Sequence, residues 1–164
     1  MSIVEFADGY IDPRAHSIGD RVERRLVDSI GGLGAVPESV ATWCDAVAVD
    51  AIGPTDELPA LGALVFPRGT RVEIKAARQS ISNGDREPPG RIYVKRSAHQ
   101  RLKGHRGVYL VAVYGRDGVE AARWVPAWSM DRLLRDRWYG TPDERSEGQV
   151  AQLQWPHIVD PMVV

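Results

Sequence analysis

Cysteine and long apolar runs are scarce in this chain of 164 residues, and each scarcity excludes a class of protein. The single cysteine, Cys44, can form no internal disulfide and offers no cysteine cluster for zinc. No apolar run approaches the roughly 20 residues of a membrane-spanning helix. The N-terminus lacks the basic-then-apolar order of a signal peptide, so a cytoplasmic protein is predicted. Because the chain has no cysteine cluster, any bound metal is predicted to be held by oxygen ligands.

The charge of the chain is unevenly distributed. The net charge is only −1, and three of the 21 basic residues are lysines. Between Arg68 and Arg106, however, eleven basic residues stand against three acidic ones, a net charge of +8 that the rest of the chain balances. A local basic patch of this kind is enough to bind nucleic acid, whereas a solvated surface is the simpler interpretation.

The first half of the chain predicts one helix and two strands. Apolar residues four apart predict an amphipathic helix over 18–31. The β-branched and small residues that begin near Trp43 and end at Ile52 predict a buried strand, and 54–69 is predicted as a loop running into a short strand. Residues 70–77 alternate between apolar and polar, which predicts a strand with a polar face.

The second half of the chain is also predicted to contain both strands and helices. Turn residues over 79–90 predict a loop or flap, followed by a short strand over 91–94 and a short helix. The uncharged run 107–114 predicts a central strand, 119–125 its antiparallel neighbour, and 126–138 a closing helix. We expect a mixed β-sheet flanked by helices in one domain over 1–164, with its core at about 17–138 and a tail over 139–164.

The polar face of the strand over 70–77 carries the pattern that points to chemistry. Glu73 and Lys75 lie two residues apart and therefore on the same face of that strand. A carboxylate that binds a metal and an ammonium that holds a water nucleophile would thus share one surface. A solvated strand face with an Arg71 ion pair is the alternative interpretation.

A second carboxylate must come from a neighbouring strand. Asp45 and Asp50 are both candidates, but an odd spacing in a strand puts them on opposite faces, so only one can join Glu73. We favour Asp45, which reaches the face of Glu73 if the two strands form a hairpin.

With these features the sequence resembles the PD-(D/E)XK nuclease superfamily, and most closely the archaeal Holliday junction resolvases and related small endonucleases. The resemblance covers residues 17–114. It rests on Glu23 in the first helix, Asp45 at the start of a strand, the Glu73-Ile74-Lys75 triplet and Gln100 in the following helix. Where the family pattern has Pro before the aspartate, this chain has Cys44.

The resemblance implies an α/β restriction-endonuclease-like fold, with a mixed central sheet flanked by helices, and an endonuclease that hydrolyses DNA. It implies Mg²⁺, with Mn²⁺ as the alternative, held by Asp45 and Glu73, and a water-orienting Lys75. Glu23 and Gln100 complete the predicted site, although Glu23 also fits a plain exposed helix acid and His99 competes with Gln100 for the inward position.

The predicted DNA contacts are eight basic residues of the positive stretch: Arg71, Arg78, Arg86, Arg91, Lys95, Arg96, Arg101 and Lys103. Branched DNA is one predicted substrate, and a homodimer is expected because cutting two strands usually takes two sites. A DNA-binding protein without catalysis and a protein-interaction module are the alternative functions.

Overall fold

The fold was determined as a computed structural model that describes residues 4–5, 15–52, 66–81, 85–140 and 148–163. The predicted short strand before Phe66 and the Asn83-Gly84 part of the predicted flap lie largely outside the described residues. The helices are α1 (Ala15–Ser29), α2 (Arg96–Gly104) and α3 (Ala127–Leu134). The strands are β1 (Val4–Glu5), β2 (Leu33–Ala35), β3 (Ala46–Ala48), β4 (Arg71–Arg78), β5 (Arg91–Lys95), β6 (Val108–Tyr114), β7 (Gly118–Pro126), β8 (Tyr139–Gly140) and β9 (Gln149–Gln154).

The central sheet contains six strands in the order β1-β7-β6-β4-β3-β2. Strands β4 and β6 are parallel, and every other neighbouring pair in this sheet is antiparallel. All seven residues of β6 are buried, as expected of an uncharged strand between two neighbours. The sheet is therefore mixed, and the predicted α/β class with a restriction-endonuclease-like architecture is confirmed.

Side-chain alternation along β4 divides the core in two. Val72 and Ile74 point to the face that α1 covers, where they pack with Val22 and Leu26 of that helix. Ala77 points to the opposite face, among the residues that pack beneath α2 and α3. Because the side-chain period is two, Glu73 and Lys75 lie on that second face as well.

The end of the chain contributes a strand that the sequence analysis did not anticipate. We expected a tail from residue 139 onward, but β9 pairs with β5 in a second sheet of order β5-β9-β8. Val150, Ala151 and Leu153 are buried there, and Trp155 Nε1 donates a hydrogen bond of 2.9 Å to the Gln79 carbonyl. The buried core thus extends past residue 138.

Two further differences concern the region before β4. The predicted strand near Trp43–Ile52 is shorter, limited to β3, and a strand that was not predicted, β2, pairs with it.

After β4, Gly90 donates a backbone hydrogen bond of 3.0 Å to the Arg78 carbonyl, and a Cβ at this position would overlap that carbonyl oxygen. Only glycine allows this approach of the loop to β4. Among the described residues, no helix is long and apolar enough to cross a membrane.

Candidate active site

Asp45 is fixed at the edge of β4 by two hydrogen bonds. Its backbone nitrogen donates to the Val72 carbonyl at 2.9 Å, and its Oδ2 atom accepts from the Ile74 nitrogen at 2.7 Å. Strand β3 pairs only with Arg71 and Val72, so the Asp45 carboxylate takes the place that the next strand residue would occupy. The hairpin expected from the sequence therefore forms. Because β3 separates from β4 beyond Val72, the Asp45 carboxylate lies beside the middle of β4.

Glu73 and Lys75 form an ion pair next to this carboxylate. The Lys75 Nζ atom lies 2.7 Å from Glu73 Oε1, and their side chains are 23% and 10% exposed. On the neighbouring parallel strand, Tyr109 is in register with Glu73. The pair therefore lies within the protein rather than on a solvated strand face, and most of its solvation by water is lost.

The Asp45 and Glu73 carboxyl groups interact strongly. Burial raises the pKa of Glu73 to about 7, and the Asp45 charge adds to this rise while Lys75 opposes it. Burial likewise raises the pKa of Asp45, against the hydrogen bond from the Ile74 nitrogen that lowers it. A hydrogen bond between the two carboxyl groups further lowers the pKa of Asp45 and raises that of Glu73. A further positive charge placed between the two carboxyl groups would therefore stabilise their ionised forms.

Glu23 of α1 brings a third carboxyl group to the cluster. Burial and the charge of Asp45 raise the pKa of Glu23 to about 8, whereas Lys75 acts to lower it. Burial acts to lower the pKa of Lys75, but its acidic neighbours, Glu73 first, raise that pKa above its usual value. Three carboxyl groups thus share one ammonium group, and the structure brings together four of the five residues predicted to be catalytic.

This donor set fits a hard divalent cation. Mg²⁺ prefers oxygen ligands and is usually held by one or two carboxylates, with water and phosphate oxygens completing its coordination. Asp45 and Glu73 supply two carboxylates, and a cation between them would offset their mutual repulsion. Within the part of the chain that the structure describes, no group of three or more His, Cys, Asp or Glu side chains is close enough to hold a metal ion, so water and substrate would supply the remaining ligands.

The alternative ligand Asp50 lies apart from this cluster. Asp50 is exposed, and its Oδ1 atom accepts a hydrogen bond of 2.7 Å from the Ala51 nitrogen. This contact is a local turn interaction of the kind that aspartate commonly makes. Of the two aspartates considered from the sequence, the structure brings Asp45 to Glu73.

Gln100, the fifth predicted catalytic residue, is exposed and lines a surface pocket with residues of α3. No hydrogen bond among the described residues joins Gln100 to the carboxylate cluster. Its neighbour His99 points inward and is 1% exposed. His99 Nδ1 lies 3.0 Å from the Tyr109 hydroxyl, and its Nε2 atom lies 3.0 Å from Asp131 Oδ1.

Sequence reasoning missed Tyr109 and Asp131. The one available signal was the alternation of side chains along β6. Tyr109 lies on the same face of β6 as the two residues that are in register with Lys75 and Ala77. Burial, together with the negative charge of Glu73, raises the pKa of Tyr109. Burial also lowers the pKa of His99, although the hydrogen bond that its ring donates to Asp131 opposes this shift.

The predicted DNA contacts lie at both ends of β4, in the following loop, and on β5 and α2. Seven of the eight are exposed, and Arg71 is half-buried. The Arg91 side chain donates to the Gln152 side chain at 3.4 Å, and Arg96 donates to that of Gln149. Lys103 Nζ lies 3.1 Å from Asp131 Oδ1. Some of these basic groups are thus held in place by polar partners on β9 and α3.

Comparison with known proteins agrees with the fold. The family model of the PD-(D/E)XK nuclease superfamily domain matches residues 11–160, most of the chain. The chain therefore belongs to the PD-(D/E)XK nuclease superfamily. No curated protein matches the sequence.

Proposed function

We propose that this protein is an Mg²⁺-dependent endonuclease that hydrolyses phosphodiester bonds in DNA. The observation that carries the proposal is the convergence of Asp45, Glu73 and Lys75 at the edge of β4, with Glu23 beside them. Buried carboxyl groups with raised pKa values and only one nearby ammonium are costly for the fold. Perturbed pKa values of this kind are typical of functional sites, and a bound cation would favour the ionised carboxylates.

Each side chain has a role in this proposal. Asp45 and Glu73 would hold Mg²⁺, or Mn²⁺ in its place, and the bound cation would polarise the phosphate and the attacking water. Lys75 orients that water through its ammonium group, which Glu73 keeps in position at 2.7 Å. Glu23 supplies a carboxylate that can accept a proton from the water. Gln100 is left out of the catalytic set, because its contacts lie with the surface pocket.

The reaction is an in-line displacement at phosphorus. The water oxygen forms a bond to phosphorus, the bond to the 3′-oxygen breaks, and the leaving oxygen takes up a proton. The products are a 5′-phosphate and a 3′-hydroxyl. The eight basic residues predicted from the sequence would bind the DNA backbone through charge, which gives an affinity that falls with salt. Selectivity for branched DNA and a homodimeric working unit remain predictions.

A cleavage assay with matched variants tests this proposal. Wild type, Glu73→Gln, Lys75→Ala and the control Glu38→Gln, an exposed acid between β2 and β3, are incubated with junction, duplex and single-stranded DNA. We expect cleavage with Mg²⁺ and none with EDTA. Loss of a positioned acid–base or electrostatic group typically lowers rates by about 10²–10⁴-fold, so both site variants should be slower by that factor and the control unchanged.

The same assay separates the alternative functions. DNA binding that falls with salt but shows no cleavage and no response to Mg²⁺ would favour a non-catalytic DNA-binding protein. Equal cleavage by wild type and Lys75→Ala would exclude the proposed role of Lys75. Absence of DNA binding at low salt would favour a protein-interaction module.

A further inference from the structure

A surface pocket lies between α2 and α3, on the same face of the sheet as the carboxylate cluster. It has a volume of about 260 Å³. Six of its lining residues carry the argument: Arg96, Gln100 and Lys103 of α2, and Asp131, Arg135 and Trp138 from α3 and the segment after it. The α2 residues recur at helical spacing, so they form one continuous side of the pocket.

The pocket is electrically positive. Arg96, Lys103 and Arg135 bring three positive charges against the single carboxylate of Asp131. That carboxylate is bound to Lys103 at 3.1 Å and to the ring of His99 at 3.0 Å. These bonds lower the pKa of Asp131, His99 being the larger cause. Asp131 therefore serves to hold Lys103 in place, and the remaining charge of the pocket favours an anion.

Arg135 is the cation of the pocket whose charge is least engaged by other described residues. It is exposed at the end of α3, and it forms no ion pair with any residue that the structure describes. A guanidinium offers donors in a planar fork that matches two oxygens of a phosphate. Arg135 is therefore available to the anion in a way that Lys103, already bound to Asp131, is not.

Trp138 adds a flat apolar surface next to these cations. The Arg96 guanidinium lies 5.7 Å from the centre of its ring, and the His99 ring centre is also 5.7 Å away. Arg96 is itself anchored by its hydrogen bond to Gln149. The indole is half-buried between these neighbours, and its exposed part is a surface on which a nucleobase can stack.

The pocket is also connected to the carboxylate cluster. His99 forms its inner wall and lies 3.0 Å from the Tyr109 hydroxyl. Tyr109 is in register with Glu73 on the adjacent strand. Buried side chains on one face of the sheet thus link the wall of the pocket to the strands that carry the carboxylate cluster.

We propose that this pocket binds one phosphate of a single nucleic-acid strand through Arg135 and Arg96, with the adjoining base stacked on Trp138. Its volume lies just below the range of about 300–1,000 Å³ that is usual for ligand sites, which suits one nucleotide unit rather than a duplex. The inference rests on the proposed function for the nature of the ligand, and it adds that the enzyme holds an unpaired flank of its substrate.

The test measures binding without metal, so that cleavage plays no part. A fluorescein-labelled oligo-dT of about 15 nucleotides is titrated with wild type, Arg135→Gln, Trp138→Ala and Trp138→Phe by fluorescence anisotropy at several salt concentrations. Arg116→Gln, an exposed arginine in the turn between β6 and β7, is the matched control. The melting temperature of every variant is recorded as well. Inorganic phosphate is titrated separately as the free-anion probe.

We expect Arg135→Gln to weaken oligo-dT binding about tenfold and to reduce the slope of log affinity against log salt by about one. Trp138→Ala should weaken binding at least about fivefold and Trp138→Phe less, because phenylalanine still stacks. The control should bind as wild type does.

Arg135→Gln and Trp138→Ala variants that fold and bind oligo-dT as the control does would overturn the inference. Inorganic phosphate that binds as tightly as oligo-dT would also overturn it, because the pocket would then be a site for a free anion. A protein that cuts no DNA but loses oligo-dT binding in Arg135→Gln would keep this inference and refute the proposed nuclease activity. The two failures are therefore distinguishable.

Discussion

Two polar clusters include side chains of the adjacent strands β4 and β6, and they balance their charges in opposite ways. In the carboxylate cluster, Asp45, Glu73 and Glu23 share one lysine, and burial raises the pKa of each carboxyl group. In the neighbouring cluster, both ring nitrogens of His99 have partners, the Tyr109 hydroxyl and the Asp131 carboxylate. The first cluster has more carboxyl groups than cations, whereas in the second both ring nitrogens of the histidine have hydrogen-bond partners.

This difference indicates that the carboxylate cluster, rather than the cluster around His99, is arranged to bind a cation. Buried polar groups that satisfy one another stabilise a fold, whereas buried like charges destabilise it until a counterion arrives. Removing a group should therefore have opposite effects in the two clusters. Stability measurements can test that expectation without any assay of cleavage.

The largest expected effect is stabilisation by metal. Mg²⁺ at about 100 times its dissociation constant should add about 2.7 kcal/mol, which raises the melting temperature by roughly 5–10 °C for a chain of this size. Because a cation held by Glu73 must displace the proton of that carboxyl group, whose pKa is about 7, the shift should be greater at pH 8 than at pH 6. Differential scanning fluorimetry measures this shift, and Asp45→Asn should lose most of it. An equal shift in Asp45→Asn would show that the cation binds elsewhere.

The next effect is the stabilisation of the metal-free protein by Glu23→Gln. The pKa of Glu23 is about 8 in the fold and near 4.5 when unfolded, so the folded state binds more protons between these values and loses stability as pH rises through them. Each pKa unit corresponds to about 1.4 kcal/mol, so Glu23→Gln should gain at least about that much at pH 8. At pH 4 it should gain little. Urea unfolding at both pH values measures the gain.

The control for this variant is the exposed Glu38→Gln, which should change stability little at either pH. If Glu23→Gln were no more stable than wild type at pH 8, Glu23 would not belong to a strained cluster.

The smallest effect is the loss of stability in Tyr109→Phe. This change leaves His99 Nδ1 without its partner at 3.0 Å and should cost about 1–2 kcal/mol. Chemical denaturation measures the cost, and the exposed Tyr139→Phe serves as control. A stabilised Tyr109→Phe variant would remove the contrast between the two clusters. The response to Mg²⁺ should persist in this variant.

Local periodicity was sufficient to predict the elements that position the site. The four-residue spacing of α1, the alternation in β4 and the uncharged run of β6 each correspond to an element with nearly the predicted bounds. These signals are local, because they depend on which face of a single helix or strand is buried. They also placed Glu73 and Lys75 on one face.

Features that depend on long-range pairing were not predictable in the same way. Strand β9 pairs with β5 across more than 50 residues, and nothing in the polar sequence around Gln149 identifies that partner. The contact of Asp45 with the Ile74 nitrogen depends on the point at which β3 leaves β4, which is set by tertiary packing. The inward orientation of His99 rather than Gln100 likewise depends on where α2 packs.

The most direct test of the account is the position of a bound metal. Crystals soaked with Mn²⁺ and measured at an anomalous wavelength reveal the ion without reference to activity. We predict an anomalous peak between the carboxylates of Asp45 and Glu73 in wild type and none there in Asp45→Asn. A peak at other carboxylates, or an empty cluster at saturating Mn²⁺, would contradict the claim that this cluster is the metal site of a nuclease.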